Sequence, residues 1–442
     1  MFKRVLLFLS IILIPYVFGA EKQGLNTQLN TEFFCRFNDK YLTQYINEAY
    51  ENNHDAKQAV IKVEEYRQYV KMSFAKELPS FSVSAAYLGI NVPKFNNYID
   101  FEKNAFVLPF TVNYEADLFL KNRDKTKSAK KTYEMSKFDV QSVYLSLFCD
   151  VATVYTNIIQ YDELINKAKI LIKNYEQIFN SDKRKFVHGI INTTELNNSK
   201  SKLDSVISEL ENLIKQRDVL LAELAVLTGA SAECAKDLKR GSINDFEYQG
   251  IIPDEIKSDI IFSRPDVKKS EAELEKARID IRIARKEFLP SFNIVGIWAF
   301  NTLAPGTFFS WESSLAAILA GATQDIFTGG RKIANLKYQK AIYEELFEKY
   351  RQVDLNAVKE VNTALCFIKH DTNIENTRKE TLLLELKNLN NAGKMLARGV
   401  ISQKEYLTSQ NMYITRNTDL IKAKTNRLID YYTLYKAAGG SL

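Results

Sequence analysis

The chain states one domain-sized module twice, about 210 residues apart, and that repeat restricts its fold more than any other feature. Leu78-Pro79-Ser80-Phe81 returns as Leu289-Pro290-Ser291-Phe292, and Asp117-Leu118-Phe119 with Arg123 returns as Asp325-Ile326-Phe327 with Arg331. Gly189 and Glu195 return as Gly399 and Glu405, and Gly229 returns as Gly439. Landmarks in one order at nearly constant offset mark a duplication. Its period is far longer than the roughly 20–50 residues of solenoid repeats, so each copy is a module in its own right. The first module is expected over residues 20–229 and the second over 263–442. Between them, 230–262 carries Gly241, Gly250 and Pro253 and reads as a connecting segment.

Met1-Phe2-Lys3-Arg4 precedes an apolar run from Val5 to Phe18, the layout of a secretory signal peptide. Residues 1–19 are expected to be removed by cleavage after Gly19. The run is shorter than the roughly 20 residues of a membrane helix, which favours export over an uncleaved anchor. Beyond it no stretch is expected to form a membrane helix. A net charge of +6, from 60 basic and 54 acidic residues, is too mild to argue for nucleic acid. Four cysteines, Cys35, Cys149, Cys234 and Cys366, form no CxxC or Cys/His cluster and no disulfide framework. Cys35 lies too far from the signal sequence to serve as a lipid-attachment cysteine.

Each module runs through the same elements. A first helix is expected over about 40–77, and again over about 266–288 behind Arg264-Pro265-Asp266, where proline and an acid suit a helix start. Asn53-His54-Asp55 holds the equivalent place in the first copy. Pro79 and Pro290 stop these helices, because the residue before proline is pushed toward an extended conformation. Strand hairpins follow over about 80–117 and 291–322. In the first, Phe81, Val83, Ala85 and Tyr87 alternate with Ser80, Ser82, Ser84 and Ala86. After a polar turn around 91–104, Phe106, Leu108, Phe110, Val112 and Tyr114 alternate with Thr111, Asn113, Glu115 and Asp117. Period-two alternation marks strands with one apolar and one wet face. From Asp124 to about Arg184, and from Lys332 to about Leu396, there is no proline and almost no glycine. Apolar residues step there by three or four from Ile342 to Ile368, which is helical periodicity. Each long helix meets its glycine, turns at residue 189 or 399, and is followed by a helix of about 35 residues.

Ten-residue alternating strands suit either a sheet lying on helices or a transmembrane barrel. Two features favour the barrel: the helices are too long to cover a small sheet, and Trp298 and Trp311 flank the second turn as interfacial aromatics would. A chain with four strands cannot close a barrel alone, so if these strands span a bilayer the chain must oligomerise. Two copies give eight strands and a filled barrel; three give twelve and leave a lumen. Such an architecture suggests a conduit.

Ser263-Arg264-Pro265-Asp266-Val267 through Ala284-Arg285 to Leu289-Pro290-Ser291-Phe292 resembles a signature of the TolC-like outer membrane efflux proteins. Tyr114-Glu115-Ala116-Asp117-Leu118-Phe119, the 325–331 segment and Tyr435-Lys436-Ala437-Ala438-Gly439-Gly440 resemble further motifs of that family. The resemblance covers essentially the whole mature chain. It implies a mainly α protein with a membrane β part: a homotrimer with one twelve-stranded β-barrel in the outer membrane, continued by a long periplasmic α-helical barrel. It also implies a periplasmic adaptor and an inner-membrane pump as partners, outer membrane lipid as surroundings, and transport without chemistry or cofactor. The two helix–turn–helix tips would form the periplasmic entrance and dock the adaptor, here through Val187, His188, Gly189 and Ile190 and through Arg398, Gly399 and Val400. Family gate acids lie six and nine residues past the second tip glycine. The sixth position is Glu405, matched by Glu195 at the first tip, whereas the ninth is Thr408. Leu120 stands where the family commonly has glycine.

Glu195 and Glu405 also suit the positive end of a helix as plain first-turn acids. Around a threefold axis, three copies of Glu405 would form a ring of mutually raised pKa that a cation relieves. The tip glycines suit left-handed helix caps. The histidines His54, His188 and His370 show no metal-ligand spacing, and the Lys-rich 121–131 stretch reads as a solvated helix face near the membrane boundary. No catalytic constellation is present. The functions consistent with this are a passive exit duct for drugs or detergents, a duct for type I protein secretion or metal-ion efflux, and, from another class, a periplasmic coiled-coil adaptor.

Overall fold

A computed structural model describes residues 32–92, 101–233, 238–253, 255–302 and 310–441. The expected signal peptide, Cys234 and most of both strand turns lie outside the described residues. In order, the elements are α1 (Glu32–Cys35), α2 (Lys40–Asn52), α3 (His54–Ala75), β1 (Ser80–Val83), β2 (Ala86–Val92), β3 (Phe101–Ala116), α4 (Lys121–Val187) and α5 (Thr193–Leu227). The second series is α6 (Ser258–Phe262), α7 (Pro265–Lys286), β4 (Ser291–Thr302), β5 (Ser314–Thr323), α8 (Arg331–Ala397) and α9 (Gln403–Ala437). The long helices α4 and α8 have 67 residues each, and α5 and α9 have 35 each. At 1.5 Å per residue, 67 residues span roughly 100 Å.

The first expected helix is divided in two. Asn53 adopts an extended ψ of 128° between α2 and α3, and its side chain accepts from the Ala56 N–H to cap α3. An N-cap asparagine can end one helix and begin the next, because its side chain replaces the missing helical partner. The two long helices also start differently. Asp117 accepts from the backbone N–H groups of Lys121 and Arg123, with Leu120 left-handed at φ 59°. Gly330 takes the place of Leu120 at φ 82°, and Arg331 is the first residue of α8 rather than the third.

The four strand positions form one antiparallel sheet in the order β1/β2, β3, β4, β5, with β2 pairing β3 in the register set by β1. The break between β1 and β2 has a simple cause. Ser84 donates to the Pro109 carbonyl, but Pro109 has no N–H to return. The hairpin of each module is joined to the other by β3–β4 pairing, from Phe106↔Thr302 to Ala116↔Phe292. Antiparallel partners share a face. Val83, Phe110, Trp298 and Ala316 therefore lie on one side in line, as do Phe81, Val112 and Gly296 beside Ile318. The opposite side carries Ser82, hydrogen-bonded to Thr111, with Asn113, Glu115 and Asn293. Among the described residues the outer edges of β1/β2 and β5 have no partner strand.

The main core sits where α4 and α9 cross the N-terminal and connecting segments. Phe33, Phe34 and Phe37 are fully or almost fully buried against Phe148, Tyr432 and Tyr435, with Phe33 stacked on Tyr435 at 4.3 Å. The 230–262 stretch is more than a tether. Its Ile243 and Phe246 are buried in this core, Phe37 stacks on Phe246, and Gln249 donates to the Arg36 carbonyl. No periodic pattern announces such a segment, because single aromatic residues rather than a regular face hold it.

Each module is closed by the same contact made with different chemistry. Asn53 donates through Nδ2 to the Leu227 carbonyl at 3.0 Å, at the end of α5. Arg264 donates through Nη1 to the Ala437 carbonyl at 2.9 Å, at the end of α9. Gly229 and Gly439 follow those ends at positive φ. A Cβ on Gly229 would lie 2.6 Å from the Asn52 carbonyl oxygen, and one on Gly439 would lie 3.0 Å from Cγ of Arg264. The proline-led helix start and the glycine-rich chain end, separate motifs in sequence, are therefore two halves of one contact.

Candidate functional site

The two helical tips are built alike. The amide of Ile190 donates to the Lys185 carbonyl and that of Gly189 to Phe186; Val400 to Met395 and Gly399 to Leu396 repeat the pair. Gly189 and Gly399 are left-handed at φ 69° and 73°. This is the Schellman arrangement, which uses the last carbonyls of each helix and favours glycine at the turning residue. Nothing lies within 4 Å of a Cβ built on either glycine, so backbone conformation alone calls for glycine. Val187, His188, Ile190, Arg398 and Val400 are all exposed around these turns.

The acids that follow are used differently. At the second tip the Ser402 hydroxyl accepts from the Glu405 N–H at 3.2 Å, and the Glu405 carboxylate accepts from the Ser402 N–H at 2.7 Å and its hydroxyl at 2.8 Å. That is a reciprocal capping box. The Ser402 backbone and hydroxyl donors hold the Glu405 carboxyl below its ordinary range, opposite in direction to the rise expected of a ring of like charges. Within one chain, its first-turn role is the one realised. At the first tip Asn192 accepts from the Glu195 N–H, but the Glu195 carboxylate does not turn back. It lines a cavity of about 400 Å³ shared with Tyr175, Asp182, Lys202, Lys404 and Thr408. Sequence equivalence thus does not carry over to geometry: Glu195 and Thr408 share a cavity, and Glu405 is not among its lining residues.

Sequence patterns missed what joins the two tips. Asp182 of α4 is completely buried and its Oδ2 accepts from Nζ of Lys404 at 2.8 Å. Two turns further from the tip, Asn174 donates to Asn411 at 2.7 Å, both of them buried. These bonds tie the first long helix to the last helix. Polar residues at helical spacing look identical on a solvated face and in a buried seam, so only the packing reveals them. Farther up, Arg427 of α9 pairs with the buried Glu375 of α8, and one turn away Asp430 faces Asp371. Burial and the Asp371 charge push the Asp430 carboxyl up to about 7.

Of the two tryptophans, Trp311 stands at the end of the second hairpin in a 3-10 turn before β5 and is highly exposed. Trp298 lies inside β4, four residues from its end, with its ring 6.0 Å from Phe110 and 5.0 Å from Phe300. Of the cysteines, Cys149 is buried and Cys35 and Cys366 are exposed, all three as free thiols. Among the described residues no group of three or more His, Cys, Asp or Glu is placed to hold a metal ion.

Comparison with known proteins agrees with this geometry. The family described as outer membrane efflux protein matches residues 45–230 and 258–440, one segment in each module. The chain is 24% identical over 438 residues to the probable outer membrane lipoprotein SilC of Salmonella typhimurium, covering 97% of this chain and 92% of that one. It is 23% identical over 436 residues to the cation efflux system protein CusC of Escherichia coli K12, covering 97% and 93%. Among solved structures, the CmeC outer membrane channel of Campylobacter jejuni superposes with a TM-score of 0.85 at 23% identity, covering 93% of this chain and 88% of that one. The open state of the Neisseria gonorrhoeae MtrE channel gives 0.81 at 22%, covering 91% and 89%. The chain belongs to the outer membrane efflux protein family.

Proposed function

We propose that three copies of this chain form the passive exit duct of a tripartite efflux system. The unclosed sheet is the observation that carries this reading. Its two outer edges have no partner strand among the described residues, and one of its faces is apolar from Phe81 to Ile318. An open sheet edge cannot stay in hydrocarbon, since every backbone polar group there must be paired. Four strand positions per chain, closed by two further copies, make a twelve-stranded barrel with the apolar face toward lipid and the Ser82–Asn113 face toward the lumen. The helices continue the duct into the periplasm. In support, α8 exposes Leu355, Phe367, Leu383 and Leu384 along its length, a surface that neighbouring copies would cover.

The tips form the periplasmic entrance in this reading. Val187, His188, Gly189 and Ile190, with Arg398, Gly399 and Val400, meet a periplasmic adaptor that links the duct to an inner-membrane pump. Glu405 lines the closed entrance, with Glu195 and Thr408 behind it. The cargo is small toxic organic compounds: the passage needs no chemistry, and relatives are named for efflux of antibiotics and toluene. Purified protein should insert into planar bilayers as trimers that conduct, and Glu405→Ala should change both conductance and block by cations. A protein that stays soluble and monomeric and opens no channel refutes the duct; unchanged conductance and block in Glu405→Ala refutes that gate residue alone. A deletion strain sensitised only to metal ions would move the cargo to metal efflux, as in the cation system that contains CusC.

A further inference from the structure

The junction between strands and long helices carries charge of the wrong sign for helix starts. Residues 121–131, KNRDKTKSAKK, hold six cations and one acid, and residues 331–340, RKIANLKYQK, hold four cations and no acid. The N-terminus of a helix bears partial positive charge, so cations in its first turns are disfavoured. Both modules accept this cost at the same place. Some of these cations are neutralised within the chain: Lys121 by Glu115, Lys131 by Glu134 and Glu275, Lys332 by Asp325, and Lys127 partly by Asp124 at 3.7 Å. Arg123, Lys130, Arg331, Lys337 and Lys340 are exposed and have no carboxylate partner among the described residues. The amides of Lys121 and Arg123 are already taken by Asp117, so the side-chain cations are what this surface offers.

Apolar groups adjoin the cations. A cavity of about 560 Å³ is lined by Phe74, Tyr114 and Leu118 on one side and by Arg123, Lys127 and Lys130 on the other, with the carboxylates of Glu77 and Asp117 also at its wall. The three cations stand at i, i+4 and i+7, one face of α4. Tyr114 alternates in phase with Val112 and Phe110 and pairs with Ile294, so the cavity opens on the apolar face of the sheet. Between strand and cations, each module exposes two large apolar side chains. These are Leu118 and Phe119 in the first, and Ile326 and Phe327, 97% and 89% exposed, in the second. Along the molecule the sequence is apolar strand face, exposed apolar pair, then cations within about 15 Å of helix. A bilayer leaflet presents the same order as hydrocarbon, interface and phosphate.

We propose that this junction is a binding surface for anionic phospholipid in the leaflet from which the helices emerge. Acyl chains lie on the apolar sheet face, and the headgroup phosphate is held by Arg123, Lys127 and Lys130 in the first module and by Lys337 and Lys340, at i and i+3, in the second. This rests on the reading of the strands as membrane-spanning. It turns the Lys-rich stretch from a solvated helix face into a headgroup contact.

The test uses the full-length protein purified in neutral detergent, titrated separately with phosphatidylglycerol, phosphatidylcholine and inorganic phosphate. Phosphatidylglycerol should raise the thermal midpoint by several degrees more than phosphatidylcholine and remain bound in native mass spectra. The triple variant Arg123→Gln/Lys127→Gln/Lys130→Gln should lose this preference by roughly tenfold or more in lipid retained. Its lipid-free midpoint should stay level or rise, because Arg123 has left the first turn at the positive end of a helix. Lys127→Arg/Lys130→Arg should keep the preference. Equal effects of the two lipids on the wild-type protein, an undiminished preference in the triple variant, or an equal shift from inorganic phosphate would each overturn the proposal. Bilayer conductance separates this from the duct: a wild type that opens channels without lipid preference loses only the lipid surface.

Discussion

The two long helices have the same length and opposite surroundings. α4 buries 26 of its 67 residues within the chain, whereas α8, its equivalent by duplication, buries five of 67. The first is enclosed by α1, α2, the connecting segment and α9, whose aromatic residues converge on Phe148 and Tyr155. The second has α7 and α9 on one side and keeps Leu355, Phe367 and Leu383 outside. The lesson is that duplication copied the stave and not its environment. One copy acquired a core from the chain's own extensions, and the other keeps its apolar side chains exposed, the surface that further copies cover in the proposed trimer.

The module clasp offers the sharpest way to break this comparison. Arg264→Ala removes a buried guanidinium that joins Ala437, Asp266 and Glu360. Because both acids are about half exposed, the loss should be about 2–4 kcal/mol, less than a fully buried pair would give. Asn53→Ala should cost about 1–2 kcal/mol by losing a cap and one carbonyl bond. If Asn53→Ala unfolds at a lower midpoint than Arg264→Ala, the second module does not depend more on its clasp.

Glycines separate crowding from backbone preference. Gly229→Ala and Gly439→Ala add a Cβ at 2.6 Å and 3.0 Å from neighbouring atoms as well as left-handed strain, and each should cost about 2 kcal/mol or more. Gly189→Ala and Gly399→Ala meet open space and should cost about 1 kcal/mol. Those tip variants should lose efflux in cells out of proportion to their stability, measured as susceptibility at equal protein level.

The seam between α8 and α9 gives a pH signature. The folded Asp430 carboxyl is raised from 3.8 to about 7, so the folded state holds a proton that the unfolded chain has released. Its contribution is therefore present below the unfolded value and declines as pH rises toward 7. Asp430→Asn should flatten that decline in denaturant unfolding between pH 4 and 7. An unchanged slope would show that the Asp430 carboxyl does not hold that proton in the folded state. The smallest effect is at the helix start. Leu120→Gly relieves a left-handed leucine and should gain up to about 1 kcal/mol, while Gly330→Leu should lose a similar amount.

Much of the fold was legible because it follows periods. Alternation gave the strand faces that the register confirms, from Phe81 opposite Val112 to Ser82 opposite Thr111. Three-and-four spacing gave the long helices. The β1/β2 break was legible in principle at Pro109, but its effect needs the partner strand to be known. The site was less legible. Gly189 and Gly399 announce their turns, but Glu195 and Glu405 look interchangeable until Ser402 is seen to engage one and not the other.

The sequence by itself determined the duplication, the length of the staves and the two-faced strands, because each is a local pattern repeated along one chain. Only the tertiary structure decided that Asn53 and Arg264 do the same task, that Asp182 holds Lys404, and that Phe33 and Phe246 complete one core. The physical reason is sequence separation. Those contacts join residues that are far apart in the chain and unlike in chemistry, so no period records them, and packing selects whichever side chain can satisfy the exposed carbonyl, charge or apolar surface.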